Sequence, residues 1–248
     1  MKKIIDIVIL SAVVVLPVLI TALAVAGARN VRSSQRCKGI DVQVLDSAYN
    51  KFLDREDILR VINRDFGGQL NRLRDCVKIS KVERVLSREG YLESGNAFFT
   101  DNGILHIEVT QKTPVLKVRD QQGTILYVEK HGEAFAVTKD WCSTLPVVNG
   151  KILLADKEWM RDLSGAVAWI TGERKWKDSI SGITSDEKGE LIVTLYGSDE
   201  KFCIGRPVGI KDKFKRISQY LSDIAPTLPQ ERRYNEINVK YNGQVVCK

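Results

Sequence analysis

Two serine-lysine spacings are the strongest signs of possible chemistry in this sequence. Ser185 to Lys188 and Ser198 to Lys201 both read S-x-x-K, the spacing of the nucleophile and base in penicillin-binding enzymes. Neither spacing has an S-D-N or K-T-G companion, and both fall in predicted hairpin turns. The sequence also contains no G-x-S-x-G and no H-E-x-x-H motif. We therefore interpret both spacings as turn composition and predict no catalytic residue.

Metal and cofactor sites are not predicted either. The two histidines, His106 in a strand pattern and His131 in a turn, lack neighbours at metal-ligand spacing. Glycines 67 and 68 follow a helix pattern, whereas a phosphate-binding loop precedes a helix. The cysteines form no C-x-x-C motif, and their number is odd. One disulfide is compatible with the sequence, and so are isolated thiols without any disulfide. They are Cys37, Cys76, Cys142, Cys203 and Cys247.

The charge of the chain does not indicate a nucleic-acid partner. Its net charge is +7, from 38 Lys and Arg against 31 Asp and Glu. Positive and negative residues alternate, as in KHGEAF and SDEKGE, and there is neither a basic block nor an aromatic RNA-binding motif. We expect a mixed, solvated surface and no small-molecule substrate.

An uncharged apolar run from Ile7 to Ala28 predicts a transmembrane helix. As a helix it measures about 33 Å, against a hydrocarbon core of about 30 Å. A cleaved secretory signal is the alternative, although its apolar region is usually about 7 to 15 residues. Positive charges lie on both sides of the run, so orientation is contested; because long domains translocate regardless of charge, we prefer a cytoplasmic N-terminus. The expected order is cytoplasmic tail 1–6, span 7–28, linker 29–36 and an external remainder.

Residues 37–112 read as a β-α-α-β-β domain. A strand pattern runs from Ile40 to Leu45, and a helix follows that Asp54 caps and Gly67-Gly68 ends. A second helix is predicted to begin at Ser80, where Ser80 and Glu83 match the S-x-x-E capping box. Two strands follow, 91–100 and 104–111, joined by an Asp-Asn-Gly turn.

Residues 113–248 predict a largely antiparallel β-rich domain with flanking helices, so the fold class of the whole chain is α+β. One helix is expected from Asp156 to Gly172, with Trp159, Leu163, Val167 and Ile170 on its buried stripe. A three-stranded meander then contains the two SDEK turns. A last helix, predicted to end at Pro226, precedes the terminal strands. Its expected inward residues are Phe214, Ile217, Leu221 and Ile224.

The last residues, NEINVKYNGQVVCK from 235 to 248, alternate apolar and polar side chains around an Asn-Gly turn. Two interpretations stay open: the terminal strand is an ordinary, internally paired edge, or its edge is left for a strand of another protein. Lys240 and Lys248 would discourage unwanted pairing.

Several segments in this order resemble the FtsQ/DivIB family of bacterial cell-division proteins. ISKVERV and NGILHIEVTQKTPVLKV are similar to the end of the family's POTRA domain and its entry into the β domain. GTILYVEKHGEAFAV, LPVVNG and the ending NEINVKYNGQVVCK are similar to the family's later motifs. The resemblance runs from the apolar run to the last residue. The ending VVCK and the short N-terminal tail of the chain look closest to the Bacteroidetes branch. The chain lacks the longer or aromatic tail of some relatives.

The resemblance implies a non-catalytic scaffold of the divisome, anchored once in a Gram-negative inner membrane with its domains in the periplasm. Partners implied are FtsB- and FtsL-like proteins, bound by strand addition, with FtsK- and FtsW/FtsI-like proteins as further candidates. The family's partner-binding edge corresponds here to Tyr241, Asn242, Gly243, Gln244, Val245 and Val246. Two alternatives remain: a POTRA-containing factor for outer-membrane assembly or secretion, and a membrane-anchored periplasmic enzyme. No cofactor is implied.

Overall fold

The computed structural model describes residues 15–27, 37–48, 52–67, 77–137, 144–229 and 234–248. The chain divides into two compact units, residues 1–111 and 112–248. Residues 15–27, inside the predicted span 7–28, are helical with exposed apolar side chains. Among the described residues, no helix has both the length and the apolar character needed to cross a bilayer. The predicted tail 1–6, the linker 29–36 and the rest of the predicted span lie outside the described ranges.

The first unit contains a three-stranded sheet and two helices in the predicted β-α-α-β-β order. The sheet has the order β1-β3-β2, with β1 parallel to β3 and β2 antiparallel to it. Along β3 the side chains alternate, and Leu105, Ile107 and Val109 are fully buried. The elements are β1 Gly39–Val44, α1 Arg55–Phe66, α2 Ile79–Leu86, β2 Leu92–Phe99 and β3 Ile104–Gln111.

The predicted boundaries of α1 are confirmed by its capping contacts. The Asp54 carboxylate accepts from the backbone N–H of Asp57 at 2.9 Å, and the Asp57 carboxylate accepts from that of Asp54 at 3.0 Å. Both donors would otherwise be unpaired at a helix start. Gly67 ends the helix in the left-handed region, with φ of 51°.

The predicted start of α2 is wrong. Lys78 is the N-cap without a side-chain bond, and Ser80 lies one residue inside the helix. The Glu83 carboxylate is not part of a capping box, because it accepts from the N–H of Ala97 on β2 at 3.4 Å. A tertiary contact thus replaces the local one that the motif predicts.

The second unit is a nine-stranded sheet with helices packed on it. Its strand order is β12-β11-β10-β9-β8-β7-β4-β5-β6, which makes β12 and β6 its edges within the described chain. The strands are β4 Pro114–Arg119, β5 Ile125–Glu129, β6 Ala134–Phe135, β7 Val147–Gly150, β8 Ile180–Ser185, β9 Leu191–Leu195, β10 Lys201–Gly205, β11 Glu236–Asn238 and β12 Val246–Cys247. The helices are α3 Lys157–Gly172, α4 Arg174–Lys177 and α5 Ile210–Gln219, followed by a π-helical turn Tyr220–Ile224 and a 3₁₀ turn Ala225–Thr227.

Most strand pairs of the sheet are antiparallel, as expected, but the sheet also contains parallel pairs that were not predicted. The pairs β4–β7, β7–β8 and β10–β11 are parallel, and the other five pairs are antiparallel. Two of the parallel pairs follow from crossovers, since α3 and α4 connect β7 to β8 and α5 lies between β10 and β11. The predicted meander β8-β9-β10 is confirmed.

The helices bury their apolar stripes in one core against the sheet. The predicted stripe of α3, with Trp159, Leu163, Val167 and Ile170, is buried, and Asp156 caps this helix. Phe214 and Ile217 of α5 are also buried as predicted. The prediction for Ile224 is wrong, because this side chain is 39% exposed. The π-helical turn changes the residue spacing there, so Tyr220 and Ala225 are buried instead.

Candidate partner-binding edge

The C-terminal hairpin forms one edge of the nine-stranded sheet. β11 pairs in parallel with β10, and β12 folds back antiparallel on β11, with Asn238 opposite Val246 and Ile237 opposite Cys247. Gly243 adopts φ of 74° in the connecting turn, a value that suits glycine. Among the described residues no strand pairs with the outer side of β12. The terminal strand is therefore paired internally on one side only.

The hydrogen-bond pattern shows which backbone groups face outward from β12. Lys248 and Glu236 exchange two bonds, of 2.9 Å from the N–H of Lys248 and 3.1 Å from that of Glu236. Bonded and non-bonded pairs alternate along an antiparallel ladder. The N–H and C=O of Cys247, next in the chain, consequently point away from β11. They are a donor and an acceptor for an additional strand.

The two faces of β12 differ in burial. Val245 and Cys247 are half-buried against the core of the second unit. Val246 is 38% exposed and lies on the opposite face, together with Lys248. Because successive side chains alternate across a strand, an added strand would contact core-facing and solvent-facing residues in turn.

The six residues singled out from the sequence occupy different environments. Tyr241 is 47% exposed, and the side chains of Asn242 and Gln244 are exposed in the turn with Gly243. Val246 belongs to the edge strand, whereas Val245 packs inward. The turn residues are thus available to a partner, but the ladder itself consists of Val246 and Cys247, of which the sequence analysis included only the first.

Lys240 is held within the sheet by an ion pair. Its Nζ lies 3.0 Å from Oε2 of Glu190, and this hydrogen-bonded carboxylate raises the pKa of the lysine. To reach Glu190 the lysine crosses Gly205 on β10, where a Cβ in place of the glycine hydrogen would lie 2.8 Å from the Cβ of Lys240. Gly205 has φ of 74°, so both its conformation and its neighbour favour glycine. The Lys240 ammonium also lies 5.3 Å from the ring centre of Tyr241.

A polar groove of about 500 Å³ lies between α5 and the hairpin turn. Its helix side is lined by Asp212, Lys215, Arg216 and Gln219, and its hairpin side by residues 242–245. The Arg216 guanidinium donates to the carbonyl oxygen of Val239 at 2.7 Å, while its buried Nε has no hydrogen-bond partner among the described residues. This groove was not predicted from the sequence. The polar positions beside the apolar stripe of α5 were the available signal, but the hairpin that faces them could not be placed.

The residues tested for chemistry do not assemble into a reactive site in the described chain. Ser185 is buried, and its hydroxyl has no hydrogen-bond partner within the described part of the chain. The Ser198 hydroxyl donates to Glu200 at 2.9 Å. His106 pairs with Asp41 at 3.2 Å and stacks on a phenylalanine, and no group of three potential metal ligands occurs in the described ranges.

Three cysteines are unpaired thiols: Cys37, Cys203 and Cys247. Burial raises the pKa of Cys203 to about 11, and the neighbouring Glu236 adds to this rise. Burial also raises the pKa of Cys247. A raised pKa keeps a thiol protonated and weakly nucleophilic near neutral pH. The remaining cysteines, at 76 and 142, lie outside the described residues.

The fold is that of an α+β protein with two units, of which the second offers an open sheet edge in its described part. Comparison with protein families assigns both units. A model described as FtsQ/DivIB, C-terminal related, matches residues 113–248, and a POTRA-like domain model matches residues 35–110. The first match covers more than half of the 248 residues, so the chain belongs to the FtsQ/DivIB family, a family of non-enzymatic cell-division proteins. A search of curated proteins found no match.

Proposed function

We propose that this protein is a non-catalytic, membrane-anchored scaffold of the divisome that binds its partners by β-strand addition to β12. The observation that carries the proposal is the outer side of β12, which no described strand occupies. The outward N–H and C=O of Cys247 would form main-chain hydrogen bonds with the added strand. Family membership supports the role in cell division.

Side chains at the edge would select the partner strand. Val246 and Tyr241 are exposed apolar surfaces at the edge and in the turn before it. Val245 and Cys247 face the core side, where a partner's apolar side chain would extend the existing packing. Because main-chain bonds are independent of sequence, these alternate positions would supply the specificity. The proposed partners are FtsB- and FtsL-like proteins, with FtsK- and FtsW/FtsI-like proteins as further members of the assembly.

The proposed location is the inner membrane, with one span at 7–28 and residues 30–248 in the periplasm. The uncharged length of 7–28 in the sequence supports the span. Cell fractionation with alkaline carbonate washing tests the anchor. The side of the membrane is tested on intact spheroplasts: a denaturant unfolds the protein exposed on their surface, and a membrane-impermeant reagent then labels Cys203 if it lies outside. Release of the chain by carbonate, or labelling only after the inner membrane is lysed, would contradict the proposed location.

Disulfide crosslinking between cysteine side chains tests the binding mode. Single-cysteine variants at Val246 and at Ile125 present comparably exposed sites on the edge and on a distant strand of the same sheet. Periplasmic segments of the FtsB- and FtsL-like proteins, each with one cysteine, should form disulfides with the Val246→Cys variant and not with Ile125→Cys. Equal crosslinking at the two positions would refute strand addition at β12.

A further inference from the structure

The charges on the exposed face of the sheet form a row that ends at the open edge. Lys201 on β10 lies opposite Glu236 on β11, and Glu236 lies opposite Lys248 at the end of β12. Residues opposite each other in neighbouring strands share a face and are close enough to interact. The row therefore alternates positive, negative, positive across three strands. Glu236 occupies the register position between Lys201 and Lys248.

Lys240 and Lys248, which flank the edge strand β12, differ in their ion-pair partners. Lys240 is neutralised by Glu190 at 3.0 Å, across the space that Gly205 leaves open. Lys248 is exposed, and among the described residues its ammonium has no ion pair. The position that would receive a new carboxylate is therefore beside Lys248 rather than beside Lys240.

The neighbouring row on the same face has a different character. It consists of Ile192, Cys203, Asn238 and Val246, one residue from each strand, and ends at the 38% exposed Val246. The side chain of an added strand beside Val246 would extend a mainly apolar row. Between the two rows, Cys247 faces the core side, where it packs with buried apolar residues.

From this charge complementarity we infer the chemistry of the partner strand: an acidic residue beside Lys248 and, two positions away on the same face, an apolar residue beside Val246. The residue between them is also apolar, because it lies on the core side beside Cys247. A parallel partner would read apolar-apolar-acidic, and an antiparallel partner acidic-apolar-apolar. The inference rests on the proposed strand addition and adds the register and the charge that the partner must have.

Opposite-charge cross-strand pairs contribute about 0.2 to 1 kcal/mol, which corresponds to a change in affinity of up to about fivefold. The charge of Lys248 is therefore expected to choose between strands rather than to create binding. This selectivity distinguishes the inference from the simpler role of an edge lysine, which is to discourage every added strand.

The test uses the full chain in lipid nanodiscs and synthetic ten-residue strand peptides that carry either Glu or Lys at the position beside Lys248, in both reading directions. Affinity is measured by fluorescence anisotropy, and amide exchange of residues 244–248 reports where each peptide binds. The Glu peptide should bind the unmodified chain about two- to fivefold more tightly than the Lys peptide. Lys248→Glu should reverse this order.

Lys201→Glu is the matched control, because Lys201 is exposed in the same row but lies two strands from the edge. It should change the preference by less than about twofold, since the added strand does not lie beside it. Equal affinities of both peptides with protection of residues 244–248 would overturn the inference and leave strand addition standing. Tighter binding of both peptides to Lys248→Ala would likewise overturn it. Absence of protection with every peptide would overturn the proposed function together with the inference.

Discussion

The guanidinium of Arg216 on α5 donates a 2.7 Å hydrogen bond to the carbonyl oxygen of Val239, just beyond β11. This contact links the last helix to the strand on which β12 folds back. Charged donors contribute about 1.5 to 3 kcal/mol when they satisfy a buried acceptor, and Val239 is fully buried. The position of the edge strand therefore depends on a helix that lies beside it.

Replacing Arg216 by alanine should loosen the terminal hairpin. The free energy of unfolding is expected to fall by about 1 to 3 kcal/mol, because the Val239 carbonyl loses its donor. Amide exchange at Lys248, whose N–H bonds to Glu236, should accelerate. Lys215→Ala is the control, since that neighbouring side chain is exposed and its loss should change stability by less than about 0.5 kcal/mol. Equal effects of the two variants in urea unfolding would contradict this account.

The hydrogen bond from the Tyr220 hydroxyl to the buried carboxylate of Glu200 should stabilise the folded protein. Glu200 is 3% exposed and accepts from Tyr220 at 2.7 Å and from Ser198 at 2.9 Å. Tyr220→Phe removes one of these donors, so we expect a loss of about 1 to 3 kcal/mol in urea unfolding. Tyr196→Phe makes the same chemical change at a side chain that is 70% exposed, and it should leave stability nearly unchanged. An undiminished stability of Tyr220→Phe would show that the hydrogen bond is not stabilising.

Alanine substitutions at two turn glycines should distinguish the cost of backbone strain from the cost of steric contact. Gly189 and Gly197 have φ of 75° and 73°, so alanine is strained at both. At Gly189 a Cβ would lie 2.5 Å from Cδ1 of Leu153 and 3.1 Å from Nε1 of the buried Trp159, whereas at Gly197 no non-adjacent atom of the described residues lies within 4 Å. Gly197→Ala should cost about 1 kcal/mol and Gly189→Ala about 1 to 3 kcal/mol more. Thermal unfolding of both variants gives the comparison, and similar melting temperatures would contradict the predicted contact.

The raised pKa of the buried Cys203 thiol should make both the stability of the protein near alkaline pH and the labelling rate of this cysteine depend on folding. Its pKa is raised to about 11, whereas an unfolded thiol titrates near about 8.5. The unfolded chain therefore releases its proton first, so the contribution of Cys203 to stability is complete below the unfolded pKa and is lost as the pH rises toward 11. Iodoacetamide labelling, followed by peptide mass spectrometry, should be slow at about pH 8 in the folded chain and fast in urea. Equal labelling rates in both states would contradict the raised pKa.

Local patterns predicted the elements whose determinants lie within a few residues. Asp54 and Gly67 mark the ends of α1 because their contacts are made by adjacent backbone. The Ser80 capping box failed for the opposite reason, since Glu83 contacts a strand that follows it in the chain. The exposure of Ile224 depends on a π-helical turn that its apolar spacing does not reveal.

Strand pairing and register were harder to predict from the sequence than the helices and strands themselves. Alternation in NEINVKYNGQVVCK indicates a hairpin, but it does not say that β11 pairs in parallel with β10. The ion pair between Lys240 and Glu190 and the groove beside Arg216 depend on that pairing. The edge strand was therefore predictable from sequence, whereas the charges and surfaces around it required the structure.

Hydrogen exchange at the terminal hairpin tests the central claim most directly. The full chain in lipid nanodiscs would be compared with and without the periplasmic segments of FtsB- and FtsL-like partners. Our account predicts that the outward-pointing amide of Cys247 exchanges rapidly alone and becomes protected with a partner, while the amide of Lys248, already bonded to Glu236, changes less. An unchanged exchange rate at Cys247 in the presence of a bound partner would contradict strand addition at β12.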